Sequence, residues 1–262
     1  MKLFKIFAQV LTPIALLIVP MTLTAADCSA KSGAHTVSLL ELYTSEGCSS
    51  CPPADKWLSN LKLDTNKVVP LAFHIDYWDY IGWKDRFSKT EYSDRQRKIA
   101  AFGGTSFVYT PQFTFNGRDF RGWDGSHLNQ LVEASLQQAA RANLTLDASR
   151  QDNGGISLKA TAQAVKSSDI KNADIFIALY ENKLASQVNA GENSGHELKH
   201  DYVVRDLFGP YQLNYQKNTK NEFNKNIILP PEWKNRNAGA VIFVQDSGNG
   251  EILQSLQLPF CG

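Results

Sequence analysis

The chain carries a Cys-x-x-Cys pair where such a pair can do redox chemistry. Cys48 and Cys51 follow a short apolar run at 37–43 and stand directly before Pro52 and Pro53. Apolar runs of this length are typical of buried strands, and proline is favoured in the first turn of a helix. The order therefore predicts a strand, a loop with both cysteines and a helix.

A helix N-terminus favours the thiolate form of a cysteine, because the helix dipole and the unpaired backbone N–H groups are positive there. The thiolate is the species that attacks disulfides. We therefore predict a thiol–disulfide oxidoreductase. Cys48 would be the exposed nucleophile, and Cys51 the buried thiol that resolves the mixed disulfide. Such exchange needs no cofactor, although an unidentified redox partner must reset the pair.

Two other interpretations of Cys48 and Cys51 stay open. They form a permanent structural disulfide if the protein is a non-catalytic binding protein, or they bind copper or another metal, with help from His74, if it is a metal chaperone. The chain has no second Cys-x-x-Cys to complete a four-thiolate zinc site. We therefore predict no metal ligands.

The first residues have the composition of a secretory signal peptide. Lys2 and Lys5 precede an apolar run that ends before Ala25 and Ala26. This pattern predicts a cleaved signal at 1–26 and a periplasmic or secreted protein. No other segment approaches the roughly 20 apolar residues that cross a bilayer, so we expect no stable membrane insertion after cleavage.

The charge of the chain argues against one class of partner. Its formal net charge is +1, and removal of Lys2 and Lys5 leaves −1, since 1–26 holds no acidic residue. A near-neutral protein lacks the positive field that attracts nucleic acid. We therefore expect no nucleic acid partner, and a protein or a small thiol or disulfide as substrate.

Cys28 and Cys261 are the remaining cysteines and lie near the two ends of the mature chain. Disulfides persist in oxidising compartments, so we predict a structural disulfide between them; two free thiols are the alternative. The bond would close a loop of more than 200 residues. In the chain-entropy model it would stabilise the protein by up to about 4–5 kcal/mol.

The segments after the first helix continue an alternation of strands and helices. The pattern predicts a strand at 68–75, a helix near 90–101, a strand pair around the Asn116-Gly117 turn and a helix at 127–141. This order is that of the thioredoxin fold, which we place at 35–142.

Two motifs resemble the signature elements of thioredoxin-like proteins: Cys48-Ser-Ser-Cys51 after a strand, and Thr110-Pro111 before a later strand. More closely, ELYTSEGCSSCPPAD, HIDYWDYIGWKD and VYTPQFTFNG resemble a family of secreted bacterial thioredoxin-like proteins of unknown function. The resemblance implies a cis Pro111 against the active disulfide, with Thr110 beside an extended substrate. It also implies a buried acid that assists proton transfer, here Glu41, which stands one residue further from Cys48 than the pattern expects. Glu46 is the nearer carboxylate, and we expect it to be exposed in the cysteine loop.

The rest of the chain, 143–262, has strand-like alternation and almost no helical periodicity. An Asp-Asn-Gly-Gly turn at 152–155 separates two alternating runs, and a Ser-Gly-Asn-Gly turn separates the last two. We therefore expect an α/β thioredoxin-like domain followed by an all-β, sandwich-like domain.

An aromatic segment at 74–83 follows the second predicted strand. It contains Trp78 and Trp83, which we name with Thr110 as candidate substrate-binding residues. The alternative is an aromatic lid that packs over the sheet edge, with Asp76 and Asp79 as turn or capping groups.

The letters His-Glu-Leu-Lys-His at 196–200 match the zinc-protease pattern, with Glu222 at a plausible distance for a third ligand. That mechanism needs both histidines one turn apart on a helix. Glycines precede the motif and strand-like residues follow it. In a strand, residues four apart lie about 13 Å from one another, too far to share one zinc ion. We therefore predict a loop leading into a strand and a chance match.

Overall fold

The computed structural model describes residues 27–214, 220–230, 233 and 237–261. Strands dominate this part of the chain, which contains fourteen strands and three α-helices. No helix within these described ranges is long and apolar enough to cross a membrane. The signal peptide predicted at 1–26 lies outside the described residues.

The strands are β1 (Cys28–Lys31), β2 (Ser38–Thr44), β3 (Val68–His74), β4 (Gln112–Phe115), β5 (Arg118–Asp119), β6 (Ala142–Arg150), β7 (Ile156–Ala164), β8 (Ala173–Glu181), β9 (Leu184–Gln187), β10 (Glu197–His200), β11 (Val203–Gln212), β12 (Asn221–Ile227), β13 (Ala238–Asp246) and β14 (Ile252–Pro259). The α-helices are α1 (Pro52–Asn60), α2 (Thr90–Phe102) and α3 (His127–Leu136). A short 3-10 helix covers Asp79–Ile81.

The strands form three sheets. The largest has the order β14-β13-β8-β11-β3-β2-β4-β5, and a second has the order β1-β6-β7-β12. Strands β9 and β10 pair with each other in a separate antiparallel hairpin. In the large sheet, β3 runs parallel to both of its neighbours, β2 and β11.

The predicted division into an α/β domain followed by a β domain is wrong. Val203 of β11 pairs with Ala72 of β3, so strands from both sides of residue 143 belong to one eight-stranded sheet. The Ala72 N–H donates to the Tyr202 carbonyl at 2.8 Å. Without β11, the backbone groups along one edge of β3 would lack strand partners, and neighbouring strands commonly cover such edges. The result is a mostly β protein with large sheets.

The large sheet is buried on both faces. Alternate residues of β8 show this: Ile175 and Ile177 pack with the four-stranded sheet, whereas Phe176 and Tyr180 belong to the cluster that contains Tyr92 of α2. Helices α1 and α3 cover β2 and β4 on the face away from α2. The cysteine loop therefore emerges from the middle of a layered structure.

Local sequence explains the elements nearest the cysteines. Pro52 opens α1, whose Ala54 and Leu58 are buried beneath β2 and β4. Between β4 and β5, Asn116 and Gly117 have φ values of 48° and 75°, as the predicted tight turn requires. A side chain at Gly117 would also collide with the backbone of the loop before β14, because a Cβ there would lie 1.9 Å from the Gly250 oxygen.

Candidate functional site

Cys48 and Cys51 are disulfide-bonded at the start of α1, with their Cα atoms 5.4 Å apart. Cys51 is the N-cap residue, and its carbonyl accepts the N–H groups of Ala54 and Asp55 at 2.9 and 3.1 Å. Both cysteines are buried, Cys48 with 2% of its surface exposed and Cys51 with none. The expectation that Cys48 is exposed is therefore wrong for the oxidised protein.

The loop between β9 and β10 is bonded to the cysteine loop. The Asn193 side-chain amide donates to the Glu46 carbonyl at 2.8 Å and to the Cys48 carbonyl at 3.0 Å. The backbone N–H of Ser49 donates to the Glu192 carboxylate at 2.9 Å. Residues about 145 positions away along the chain thus hold the cysteine loop. Sequence analysis missed both, since nothing local marks them.

The aromatic segment packs against the other side of the cysteine loop. A Cβ at Gly47 would lie 3.2 Å from Cβ of Trp78, so the indole-bearing residue sits directly on the loop. Nε1 of Trp78 donates to Oγ1 of Thr110 at 2.7 Å, and Nε1 of Trp83 donates to Glu46 at 2.7 Å. The three residues named as substrate-binding candidates therefore bond within the protein, and Trp78 and Trp83 are half-buried.

Pro111 lies beside the cysteine loop, as the register of β2 and β4 requires. Tyr43 pairs with Gln112, so Thr110 and Pro111 stand next to the end of β2 from which the cysteine loop begins. The Thr110–Pro111 peptide bond is cis. The Thr110 hydroxyl contact to Trp78 joins this loop to the aromatic segment.

Asp76 and Asp79 stabilise the turns of the aromatic segment. The Asp76 carboxylate accepts the hydroxyls of Thr90 and Ser93 in the first turn of α2, each at 2.5 Å. Slight burial would raise the pKa of Asp76, but these hydrogen bonds outweigh burial and lower it. The Asp79 carboxylate accepts the Ser88 hydroxyl at 2.8 Å. Both acids therefore have the turn and capping geometry considered for them from the sequence.

Glu41 lies on the face of β2 opposite α1. Its neighbours Leu40 and Leu42 pack with α1, whereas Glu41 accepts Nε of Arg95, on α2, at 2.7 Å. The Thr114 hydroxyl donates to the other carboxylate oxygen at 3.2 Å. Burial acts to lower the pKa of Arg95, but the Glu41 carboxylate outweighs it and raises that pKa. The contacts of Glu41 are those of a buried ion pair.

A buried polar network lies beneath the cysteine loop. Nδ1 of His200 is 3.1 Å from the Asp55 carboxylate, and its Nε2 is 3.6 Å from Oε1 of Glu46. Nδ1 of His74 is 2.6 Å from the Asp85 carboxylate. The two imidazole rings pack edge to face with centroids 4.8 Å apart. All five residues are buried.

The charges of this network shift its proton equilibria. Burial alone would lower the pKa of His200, but the hydrogen bond to Asp55 and the contact with Glu46 outweigh burial and raise it to about 10. Burial alone would raise the pKa of Asp85. The charge of His74 and its hydrogen bond to the Asp85 carboxylate outweigh burial and lower that pKa.

Three side-chain atoms in the network have no hydrogen-bond partner among the described residues: Oε1 of Glu46, Nε2 of His74 and Nε2 of His200. One donor atom each of Asp55, His74 and His200 lie within 4.8 Å of one another. Sequence analysis named His74 as a possible metal-assisting residue, but it placed Glu46 in an exposed loop. That placement is wrong, because Trp83 and Asn193 enclose Glu46.

The His-Glu-Leu-Lys-His motif does not form a protease site. Residues Glu197–His200 are strand β10 and pair with β9, so most of the motif lies in a strand rather than in the predicted loop. His196 is exposed, whereas His200 is buried in the network beside α1. The two histidines therefore have different environments.

Cys28 and Cys261 are free thiols, so the predicted disulfide between them is absent. The two residues are nevertheless in contact, since the Cys261 N–H donates to Sγ of Cys28 at 3.0 Å. Strand β1 pairs with β6 at the edge of the four-stranded sheet, and Cys261 follows β14 directly. The proximity was predictable, but the bond is not formed.

A family model described as "Protein of unknown function (DUF1223)" matches residues 39–245 of the chain. The chain belongs to this family. The match begins inside β2 and ends inside β13, so it spans the cysteine loop, the aromatic segment and the buried network. No curated protein matches the sequence.

Two solved structures resemble this one. The crystal structure of a structural-genomics target from Agrobacterium tumefaciens has 23% sequence identity and a TM-score of 0.59, covering 86% of this chain and 96% of that chain. The structure of HBP35 of Porphyromonas gingivalis has 14% identity and a TM-score of 0.66, covering 87% of this chain and 76% of that chain. At these identities the likeness concerns the fold alone.

Proposed function

We propose that this protein is an exported thiol–disulfide oxidoreductase that uses Cys48 and Cys51. The observation that carries the proposal is the disulfide at the first turn of α1. A thiolate released there would be stabilised by the helix N-terminus. The position of Thr110 and Pro111 beside the same loop supports a relationship to thioredoxin-like proteins at the level of this site.

The proposed reaction moves two electrons from a substrate dithiol to the Cys48–Cys51 disulfide. A substrate thiolate attacks Sγ of Cys48, a mixed disulfide forms, and the Cys48–Cys51 bond breaks. Cys51 leaves as a thiolate and takes a proton from solvent. The second substrate thiolate then attacks the other substrate sulfur, which is bonded to Cys48 in the mixed disulfide. This attack releases Cys48, which is also protonated. The substrate is oxidised to a disulfide, the protein is reduced to a dithiol, and the reverse sequence reduces a substrate disulfide.

Attack on Cys48 requires the cysteine loop to be uncovered. Cys48 is buried, Asn193 donates to its carbonyl, and Trp78 packs against the neighbouring Gly47. The hydrogen bonds from Asn193 cross between the two loops and can break without loss of a hydrophobic core. We therefore propose that a substrate displaces the loop between β9 and β10.

An aromatic cleft beside Pro111 supports a polypeptide substrate. Phe107 is 66% exposed and stacks on Tyr109, directly before Thr110. Arg121 and Trp123 line the same cleft. Exposed aromatic side chains with an adjacent cation are typical of protein-binding surfaces. We propose that an unfolded segment of a secreted protein binds here, which agrees with the signal peptide predicted at 1–26.

One observation favours a second candidate function. Because both sulfurs are buried, Cys48–Cys51 fits a permanent structural disulfide in a binding protein equally well on burial alone. The reduction potential separates the two candidates. Working oxidoreductases have potentials of about −120 to −270 mV, whereas structural disulfides lie below about −300 mV.

The deciding experiment is the thiol state of the folded mature protein across glutathione and dithiothreitol buffers of defined potential. Each cysteine pair is resolved by alkylation and mass spectrometry, and equilibrium is approached from both oxidised and reduced protein. We expect Cys48–Cys51 to have its midpoint between about −120 and −270 mV.

A midpoint below about −300 mV would overturn the oxidoreductase proposal in favour of the structural disulfide. The Cys28→Ser/Cys261→Ser variant is the matched control, because it removes the other two thiols and leaves the cysteine loop intact. Its Cys48–Cys51 midpoint should equal that of the unchanged protein.

A further inference from the structure

Two buried histidines beneath the cysteine loop share one arrangement. His74 presents Nδ1 to Asp85 at 2.6 Å, and His200 presents Nδ1 to Asp55 at 3.1 Å. A carboxylate at Nδ1 fixes a proton on that nitrogen, so that Nε2 is the nitrogen left to bind a cation. Because the pKa of His200 is raised to about 10, a cation bound there would displace the proton on Nε2. Metal-binding histidines in proteins almost always have such a carboxylate or carbonyl partner on the second nitrogen.

The Nε2 atoms of both histidines lack hydrogen-bond partners among the described residues, and so does Oε1 of Glu46. The three side chains are no more than 2% exposed. Nearly all buried polar atoms in proteins are paired, because an unpaired one loses its hydrogen bonds to water without replacement. Nε2 of His200 and Oε1 of Glu46 lie 3.6 Å apart and so satisfy each other in part, whereas Nε2 of His74 has no hydrogen-bond partner among the described residues. A cation bound by all three atoms would satisfy them together.

We propose that this network is a binding site for a divalent transition-metal ion, with Nε2 of His74, Nε2 of His200 and Oε1 of Glu46 as ligands. Asp85 and Asp55 act as positioning residues through the two imidazole rings. The proposal is independent of the redox function, because the ligands include neither cysteine.

One distance between proposed ligand atoms already suits a metal ion, and the packing of the two imidazole rings places His74 beside them. Zinc binds imidazole nitrogen and carboxylate oxygen at about 2.0–2.2 Å, which places tetrahedral ligand atoms about 3.4 Å apart. Nε2 of His200 and Oε1 of Glu46 are 3.6 Å apart. The imidazole centroids are 4.8 Å apart, and donor atoms of Asp55, His74 and His200 lie within 4.8 Å of one another.

The charge and chemistry of the network favour a divalent ion of intermediate softness. Three buried carboxylates, Glu46, Asp55 and Asp85, surround the two histidines. A doubly charged cation offsets most of that negative charge. Imidazole with carboxylate suits zinc, iron, nickel and copper better than calcium or magnesium, which prefer oxygen ligands.

The ligands come from three parts of the chain that the fold brings together. Glu46 belongs to the cysteine loop, His74 ends β3 and His200 ends β10. A bound ion would therefore fasten the β9–β10 hairpin to the loop that holds Cys48. Since Asn193 of the same hairpin covers that loop, the metal would stabilise the covered form of the disulfide.

The test is metal binding by the oxidised Cys28→Ser/Cys261→Ser variant, which removes the free thiols as competing ligands. After chelator treatment and dialysis, the protein is titrated with Co²⁺ for visible absorption and with Zn²⁺ against a chromophoric chelator. We expect one equivalent of each ion, with no sulfur-to-cobalt charge-transfer band, and a higher Tm with Zn²⁺. These readouts require no further variant to fold.

Variants in the same background assign the site. His74→Gln, His200→Gln and Glu46→Gln should each weaken zinc binding by more than about 100-fold, whereas Asp85→Asn should weaken it by about 10–100-fold through the imidazole. The matched control is His196→Gln, because His196 is exposed on the same hairpin. No stoichiometric ion, or an ion retained equally by His200→Gln, would overturn the proposal.

Discussion

The protein has two cysteine pairs, and their surroundings differ in every respect that matters to thiol chemistry. Cys48 and Cys51 are bonded, buried and placed at the first turn of α1, inside the folded core. Cys28 and Cys261 are free, partly exposed and placed where two sheet edges meet. The first pair is three residues apart in sequence, and the second is 233 apart.

This comparison separates thiolate stability from accessibility. The helix N-terminus favours a thiolate at the first pair. The loop that contains Asn193 hinders the approach of other thiols and disulfides to Cys48. At the second pair, burial and then the side chain of Cys261 outweigh the backbone hydrogen bond from Cys261 and raise the pKa of Cys28 to about 11, so its thiol stays protonated at neutral pH. One pair has the better chemistry, and the other has the better access.

The largest effect should come from Cys51→Ser in the Cys28→Ser/Cys261→Ser background. Without Cys51, a mixed disulfide at Cys48 has no internal thiol to resolve it. An internal thiol acts at an effective concentration far above that of external thiols, so release of substrate should slow by about 100-fold or more. Non-reducing electrophoresis and mass spectrometry of purified protein mixed with a substrate that contains a disulfide would detect the trapped complex, because the Cys48 thiolate attacks that disulfide and releases one substrate thiolate.

The paired control is Cys48→Ser in the same background, which retains Cys51 as the single thiol. Cys51 is fully buried, so this variant should trap much less substrate. Equal trapping by both variants would contradict the assignment of Cys48, rather than Cys51, as the sulfur that forms the mixed disulfide with substrate.

The second effect concerns the stability that the other pair can supply. Air or glutathione disulfide should bond Cys28 to Cys261, because the two sulfur-bearing residues already touch. The bond closes nearly the whole described chain, and Cys28→Ser should lower the free energy of unfolding by up to about 4–5 kcal/mol relative to the oxidised protein. Denaturant titration of both proteins measures the difference.

Cys261→Ser provides the check, since either substitution removes the same bond. The two single variants should have equal stability, and the double variant should add nothing further. If the unchanged oxidised protein still alkylates at both cysteines, the pair stays reduced and the stabilisation is not available.

The sequence predicted the parts of the site that depend on neighbouring residues. The apolar run at 37–43 corresponds to β2, the two prolines open α1, and Asn116-Gly117 makes the turn between β4 and β5. Each depends on local backbone preferences or on short-range periodicity. The boundaries were less accurate, as in α3, which ends at Leu136 rather than at 141.

The errors concern contacts between distant residues. Glu46 is buried because Trp83 and Asn193 reach it from other parts of the chain, and the domain division failed at the pairing of β3 with β11. His200 is 145 residues from Asp55. The sequence analysis correctly rejected a helical zinc site at 196–200. It considered His200 only together with His196 and therefore missed the contact of His200 with His74. Sequence spacing does not contain such information.

The smallest effect should separate accessibility from chemistry at the first pair. Asn193→Ala removes two hydrogen bonds that hold the β9–β10 loop on the cysteine loop. Each is worth about 1 kcal/mol, so the uncovered form should become more populated and dithiothreitol should reduce Cys48–Cys51 about 30-fold faster. The midpoint potential should change much less than the rate. Asn226→Ala is the matched control, because Asn226 is exposed on β12, and its rate should equal that of the unchanged protein. An unaltered rate for Asn193→Ala would mean that thiols reach Cys48 from the Trp78 side, and Trp78→Ala would then be the faster variant.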